Sequence, residues 1–125
     1  MAIPIPSRRH QFRFALTGQF ADHWTTRENQ VIDILPLDVS SRGFGLLLNP
    51  APAVGSQIIW HCPQLKEAIE NPLVFAIVWS ASPTVSHDFS EMTNMRRCGL
   101  LLVSDDQTID LVELCAKIPS LQMIE

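Results

Sequence analysis

The apolar residues of this chain fall in short segments separated by turn-forming residues, and this arrangement constrains the fold more than any other feature. Proline-containing strings lie between the apolar segments, as at 49–52, 71–72 and 82–83. Short segments with such boundaries are typical of an all-β domain. The stretch from Val74 to Ala81 is apolar along most of its length and rich in β-branched residues, which predicts a central strand.

The segments predict six strands, at residues 12–20, 31–39, 44–49, 56–62, 73–81 and 96–103. Between Asp105 and Lys117 the apolar spacing fits a helical stripe, and we predict a helix at 105–118 that Pro119 ends. Asp105 or Asp106 is expected to cap its start. Six strands and a terminal amphipathic helix predict a small barrel with the helix packed against it, because a closed barrel removes most exposed sheet edges.

Length and composition predict one domain. The chain has 125 residues, of which 46% are hydrophobic and 18% charged, a composition that supports a packed core. We divide it into an N-terminal arm at 1–11, the barrel at 12–103 and the helix. The N-terminus lacks the basic and apolar regions of a signal peptide, and the longest apolar stretch, Leu73 to Trp79, is too short to cross a bilayer. Three scattered cysteines favour a reducing compartment, so we expect a cytoplasmic protein with no direct membrane insertion.

A cluster of arginines near the N-terminus is the first functional signal. Arg8, Arg9 and Arg13 are three of the nine basic residues in a chain whose net charge is -4. On an acidic chain such a cluster indicates a local anion site rather than a general field for nucleic acid. Arginine suits phosphate and guanine because its planar fork donates two hydrogen bonds and its face stacks on bases. Taken alone, the cluster is better explained as solvated surface charge.

The string Asp38-Val39-Ser40-Ser41-Arg42-Gly43 is the second signal. Asp38 and Ser40 are two residues apart at the end of an extended segment, which predicts that they lie on one face. The carboxylate accepts hydrogen bonds from guanine N–H groups, and the hydroxyl donates or accepts one. Gly43 permits a sharp turn, including one with positive φ, and a close approach of backbone to ligand. An Asx or Ser turn between strands is the alternative explanation.

Together the two strings resemble the signature of a known family. Arg9-His10-Gln11-Phe12-Arg13 matches RxxxR, and Asp38 to Gly43 matches DxSxxG. In that order and at that separation, the pair resembles the signature of PilZ domains, which are bacterial receptors for cyclic di-GMP. The likeness covers nearly the whole chain, because Phe75-Ala76-Ile77-Val78-Trp79 and Arg97-Cys98-Gly99-Leu100 resemble two later strands of the family. The resemblance implies a six-stranded antiparallel split β-barrel with a C-terminal amphipathic helix.

The resemblance also implies a site for cyclic di-GMP and no other cofactor. The residues that it assigns to this site are Arg8, Arg9, Arg13, Asp38, Ser40, Gly43 and Trp79. Trp79 is included because an indole at a pocket edge stacks on guanine. On a face shared with Phe75 and Ile77, the same indole is equally well explained as a core residue. Arg97 is equally well explained as a surface strand residue.

The function implied by the resemblance is that of a non-catalytic cytoplasmic receptor. Cyclic di-GMP is expected to order the arginine-bearing arm, and the signal then passes to a separate effector protein. Type IV pilus, flagellar or exopolysaccharide machinery is the kind of partner implied, and we expect a monomer or weak dimer. The alternative is an interaction adaptor of the same fold that acts without nucleotide.

Other functions have little support in the sequence. No combination of acid, base and nucleophile indicates an enzyme. The histidines are dispersed, at His10, His23, His61 and His87. No second pair accompanies His61-Cys62 to form a zinc site, and Cys98 and Cys115 are expected in the core. A barrel for single-stranded nucleic acid is disfavoured by the negative net charge and by the lack of aromatics among the clustered basic residues.

Two features depart from the expected pattern, and one stretch has no predicted role. Phe12 directly precedes Arg13, where the family often has the aromatic one residue earlier, so we expect a different loop path. Pro36 cannot donate a ladder hydrogen bond and is expected at a bulge or on an edge. The polar stretch 21–30, which contains Trp24, has no predicted role.

Overall fold

The computed structural model describes residues 13–21, 23–61, 72–81 and 95–124. Arg8, and with it the predicted arm, lies outside these ranges. All strand pairs within them are antiparallel. The described residues form eight strands and one helix, in the order β1 (Phe14–Gly18), β2 (Trp24–Thr26), β3 (Val31–Val39), β4 (Gly43–Asn49), β5 (Gln57–Trp60), β6 (Leu73–Ala81), β7 (Arg96–Leu102), α1 (Leu111–Ala116) and β8 (Leu121–Ile124).

Six of the strands close into a barrel. In the order β2–β5–β6–β7–β4–β3 each strand pairs with the next, and β3 pairs back with β2 to complete the ring. The closing pairs are Trp24 with Ile32 and Thr25 with Val31. Outside the ring, β1 pairs with the end of β3, and β8 pairs with β1. The predicted fold class, an all-β six-stranded antiparallel barrel with a C-terminal helix, is confirmed.

The strand that completes the ring is one that the sequence pattern did not predict. β2 lies in the polar stretch 21–30, and all three of its residues are buried. Thr26 Oγ1 then accepts hydrogen bonds from the backbone N–H groups of Glu28 and Gln30, which forms a turn into β3. The predicted strand at 12–20 corresponds to β1, which lies outside the ring. Three residues are too few to show the alternation by which strands are found in a sequence.

Aromatic side chains fill much of the barrel interior. Trp24 and Trp60 are paired on β2 and β5, and their parallel rings lie 5.4 Å apart between centroids. Phe44 packs edge-on against both indoles, and Phe75 contacts Trp24 and Phe44. These four side chains are at most 1% exposed. Full burial of a side chain such as Phe contributes about 1.5–3 kcal/mol, so this cluster is a main source of stability.

The C-terminal helix is shorter than the predicted 105–118. α1 has six residues, and its N-cap is Asp110 rather than Asp105 or Asp106. The Asp110 carboxylate accepts hydrogen bonds from two backbone N–H groups of the first turn. Asp106 instead accepts hydrogen bonds from the backbone N–H and the hydroxyl of Thr108, which stabilises a separate turn. The predicted helix was too long because its first residues form this turn.

One side of α1 packs into the core. Leu111, Leu114 and Cys115 are buried there, and Cys98 is buried on β7, so the predicted core placement of both cysteines is confirmed. Burial raises the pKa of the Cys115 thiol to about 12 and also raises the pKa of the Cys98 thiol. Both thiols are therefore protonated at neutral pH and are poor nucleophiles. In the described part of the chain, no helix has the length and apolar character needed to span a membrane.

Candidate functional site

A row of four paired residues crosses the outer face of the barrel, with one residue on each of four neighbouring strands. Asp38 on β3 pairs with Gly45 on β4. Gly45 pairs with Gly99 on β7, which pairs with Trp79 on β6. Paired residues in an antiparallel sheet point to the same face, and we call these four residues the site row. The side chain of Asp38 is 32% exposed and Trp79 is 43% exposed, so the row faces solvent.

The two glycines let the carboxylate and the indole lie against the sheet. A Cβ atom at Gly45 would lie 2.6 Å from Asp38 Oδ1. A Cβ atom at Gly99 would overlap the Trp79 indole at Nε1, Cε2 and Cδ1. A larger residue at either position would therefore move the side chain above it or the strand below it. Asp38 and Trp79 thus lie over adjacent strands, each above the glycine with which it is paired.

Two β-bulges turn Asp38 and Trp79 outward. The register shifts between Pro36 and Asp38 in β3, and between Ile77 and Trp79 in β6. Pro36 and Ile77 are buried, so strict alternation would direct Asp38 and Trp79 inward. The extra residue in each strand reverses this direction. The prediction that Pro36 lies at a bulge is confirmed, and the explanation of Trp79 as a core residue beside Phe75 is wrong.

Strand pairing brings Arg13, the last residue of the first motif, to Asp38, the first residue of the second. Arg13 directly precedes β1, and Ala15 of β1 pairs with Asp38. Arg13 Nη1 lies 2.5 Å from Asp38 Oδ1, in an ion pair whose side chains are 51% and 32% exposed. An exposed ion pair contributes about 0–1 kcal/mol to stability, so the fold gains little from this contact. Both charged groups lie at one end of the site row and are accessible to a ligand.

Arg97 places a second guanidinium at the opposite end of the site row. It lies on β7, two residues before Gly99, and its Cζ is 5.9 Å from the centroid of the Trp79 ring. A cation over an exposed indole contributes about 0.5–1 kcal/mol. The site row therefore has an arginine beside each of its two side chains: Arg13 by Asp38 and Arg97 by Trp79.

The rest of the second motif forms the turn between β3 and β4. The backbone N–H of Ser40 donates to the Gly43 carbonyl at 2.9 Å, and Ser40 Oγ donates to the same oxygen at 3.5 Å. Ser40 is 2% exposed, so its hydroxyl closes the turn from within. Gly43 does not have positive φ. A glycine is required there because a Cβ atom would lie 2.6 Å from the Leu100 carbonyl oxygen on the neighbouring strand.

The structure brings part of the predicted site together. Arg13, Asp38 and Trp79 lie in or beside the site row, whereas Ser40 and Gly43 lie in the adjoining turn. The remaining two arginines of the predicted set are outside the described residues. The three predicted residues at the row come from segments that are distant in sequence, and strand pairing alone makes them neighbours.

Three further residues of the site were not predicted. Arg97 belongs to a string that resembles a later strand of the family, but a surface strand residue was an equally good explanation, and it was not assigned to the site. The sequence contains no signal that would place it beside Trp79. Gly45 and Gly99 do have a signal, because an isolated glycine inside an apolar strand pattern marks a position that another group approaches closely.

The two histidines in the described ranges, His23 and His61, lie next to β2 and β5, outside the site row. His61 Nε2 is 2.9 Å from Thr25 Oγ1, and its ring stacks on His23 with centroids 4.8 Å apart. Burial, and secondarily the nearby His23, lowers the pKa of His61. Within the residues that the structure describes, no group of three or more His, Cys, Asp or Glu side chains is suited to hold a metal ion.

Comparisons of the chain with protein-family models, curated proteins and solved structures found no match. The function must therefore be argued from the chemistry of the site row. Its two guanidinium groups suit an anion, its carboxylate accepts hydrogen bonds from N–H groups, and its indole offers a face for stacking. This combination suits a ligand that is both anionic and aromatic.

Proposed function

We propose that this protein is a non-catalytic receptor for cyclic di-GMP and that the site row is its ligand-binding surface. One observation carries the proposal. Arg13 of the RxxxR string and Asp38 of the DxSxxG string, separated by 25 residues in sequence, are in direct contact. The last residue of the first string and the first residue of the second therefore lie side by side on one surface.

The chemistry of the ligand matches the groups on this surface. Cyclic di-GMP has two phosphodiesters and two guanines. The guanidinium of Arg13 suits a phosphate, and the Asp38 carboxylate accepts hydrogen bonds from the N–H edge of guanine. The exposed indole of Trp79 offers a face on which a base stacks.

The Arg13–Asp38 ion pair does not prevent binding. An exposed pair of this kind contributes about 0–1 kcal/mol. A hydrogen bond to a charged group contributes about 1.5–3 kcal/mol. A ligand that bonds to both side chains therefore gains more than the loss of their mutual contact costs. We propose that this exchange frees Arg13 for phosphate and Asp38 for guanine.

The cellular part of the proposal follows from the resemblance rather than from the site. We propose that the protein acts in the cytoplasm as a monomer or weak dimer and relays ligand binding to a separate effector protein. Control of motility, pili or exopolysaccharide is the kind of output expected. We also propose that Arg8 and Arg9 join Arg13 on the ligand phosphates.

Isothermal titration calorimetry with cyclic di-GMP tests the proposal. We expect binding by the unaltered chain in low salt and a weaker interaction in Arg13→Ala and Asp38→Asn. Loss of one charged hydrogen bond costs about 1.5–3 kcal/mol, so affinity should fall about 10- to 150-fold. Arg27→Ala is the matched control, because Arg27 is an exposed arginine in the turn after β2 that bonds to Gln57 of β5, outside the site row. No heat at micromolar ligand would count against the proposal.

A second candidate, an adaptor that acts without nucleotide, is favoured by one observation. Val78, Leu101 and Val103 are 45–50% exposed on β6, β7 and the residue that follows β7. Exposed apolar residues on adjacent strands are typical of protein contact surfaces. Recovery of the same partner with and without cyclic di-GMP, together with no heat in the titration, would favour this candidate.

A further inference from the structure

The guanidinium of Arg42 donates hydrogen bonds to the backbone of the segment before α1. Arg42 Nη2 donates to the Ser104 carbonyl at 2.7 Å. Arg42 Nη1 donates to the carbonyls of Asp106 and Ile109 at 3.0 and 3.2 Å. One side chain of the DxSxxG turn therefore holds three carbonyls of the segment 103–110, which connects β7 to α1.

The backbone of the same turn makes two more hydrogen bonds to the C-terminal part of the chain. The N–H of Leu102, the last residue of β7, donates to the Arg42 carbonyl at 2.8 Å. The N–H of Leu111, the first residue of α1, donates to the Ser41 carbonyl at 2.8 Å. The turn that follows Asp38 is thus bonded to both ends of the 103–110 segment.

Arginine is the residue that this arrangement requires. Its guanidinium has five N–H donors in a rigid plane and can bond several carbonyls at once. A lysine has the same charge, but its ammonium is a single point that cannot reproduce the spread of donors. An Arg42→Lys substitution therefore keeps the charge and removes most of the connection.

α1 is also connected to β1 through β8. The helix leads into β8, whose residues pair with β1, and β1 begins directly after Arg13. The turn that follows Asp38 is therefore bonded to α1, and Arg13 precedes a strand that pairs with β8. We call α1 and β8 the C-terminal unit. The site row is thus connected to the C-terminal unit in two ways, through the turn after Asp38 and through the pairing of β1 with β8. Arg42 belongs to the first connection.

We propose that Arg42 is a positioning residue that couples ligand binding at the turn to the opening of the 103–110 segment and α1. The inference rests on the proposed function, since it assigns a regulatory output to the same site. Ligand held by Asp38 restrains the turn, Arg42 transmits the restraint to the three carbonyls, and α1 opens less often. The C-terminal unit is then the part of the protein whose exposure reports ligand occupancy.

Hydrogen exchange with and without cyclic di-GMP tests the coupling. In the unaltered chain we expect ligand to slow amide exchange across 103–116. Arg42→Lys should bind ligand with an affinity changed by less than about fivefold, at the low end of allosteric coupling, yet lose this protection. Arg27→Lys, the matched control, should retain it. Full protection in Arg42→Lys, or binding without protection in the unaltered chain, would overturn the inference.

A second measurement needs no ligand and so separates this inference from the proposed function. Asp110→Ala removes the cap of α1 and should speed exchange at 38–43 in the unaltered background. In the Arg42→Lys background the same substitution should add little. If cyclic di-GMP does not bind, but Asp110→Ala speeds exchange at 38–43 more in the unaltered background than in Arg42→Lys, the proposed function is wrong and the coupling is supported. Equal effects in the two backgrounds, or no effect at 38–43, would overturn the coupling.

Discussion

Beside the site row, on the same four strands, runs a second row of paired residues that faces the barrel interior. These residues are Val39 on β3, Phe44 on β4, Leu100 on β7 and Ile77 on β6, and we call them the core row. They are at most 2% exposed, whereas the site row has two glycines and two half-exposed side chains. The two rows are next to each other along β3, β4 and β7, where neighbouring residues have opposite roles, and on β6 the bulge places Val78 between them. The core row stabilises the barrel, and the site row presents chemistry to solvent.

The largest expected effect is a difference in stability between a variant of the core row and a variant of the site row. Phe44→Ala removes a ring that contacts both buried indoles, and we expect a loss of about 3–5 kcal/mol in the free energy of unfolding. Asp38→Ala, on the site row, removes an exposed ion pair and should cost about 1 kcal/mol or less. Urea denaturation measures both. Similar losses for the two variants would mean that the rows do not differ as described.

Two glycines on β4, Gly43 and Gly45, allow a second comparison of stability with ligand binding. A Cβ at Gly43 meets the rigid Leu100 carbonyl, so Gly43→Ala should cost about 1–3 kcal/mol of stability. The three atoms nearest to a Cβ at Gly45 all belong to the Asp38 carboxyl group, which can move. Gly45→Ala should therefore cost less stability and weaken cyclic di-GMP binding instead. Urea denaturation and calorimetry on both variants check this, and greater instability in Gly45→Ala would contradict it.

Trp79 tests whether the aromatic side chain of the site row serves binding. Loss of base stacking costs about 1–3 kcal/mol per base, so Trp79→Ala should lower affinity about 5- to 150-fold. Its loss of stability should be well below that of Phe44→Ala, because the indole is half-exposed. Leu101→Ala is the control, since Leu101 is similarly exposed on β7 and lies outside the row. An equal fall in affinity for the two variants would argue against stacking on Trp79.

The smallest effect is expected at the seam where β2 meets β5, away from both rows. Because the folded protein lowers the pKa of His61 below its ordinary 6.5, folding favours the neutral ring. Its contribution to stability is complete above pH 6.5 and is lost as the pH falls from there through the folded pKa. Unfolding free energies measured between about pH 5 and about pH 8 should show this loss. His61→Gln should flatten the profile, and an unchanged profile in that variant would assign the loss to other groups.

Most of the strands could be predicted because their signals are local. The predicted strands at 31–39 and 73–81 coincide with β3 and β6, and the predicted 44–49 differs from β4 by one residue. Alternation, turn residues and β-branched side chains are properties of a single segment, so the sequence pattern is sufficient to find them. The burial of Cys98 follows from the alternation in β7, and that of Cys115 follows from the helical spacing of α1.

The candidate site could be predicted in part. The two motifs pointed to Arg13 and Asp38, which the structure brings into contact. The motifs did not reveal that the Ser40 hydroxyl bonds within its own turn, that Arg42 binds the segment 103–110, or that Arg97 lies over the Trp79 indole. Each of these depends on which strand end meets which loop, and a linear pattern does not contain that information.

The sequence alone determined where six of the eight described strands lie and which charged strings are candidates for ligand binding. The tertiary structure decided the rest. It closed the ring through β2, a strand of three residues whose burial depends on Trp24 meeting Trp60. It also turned Asp38 and Trp79 outward, because a bulge reverses the face of every residue that follows and is defined only by the register with the neighbouring strand.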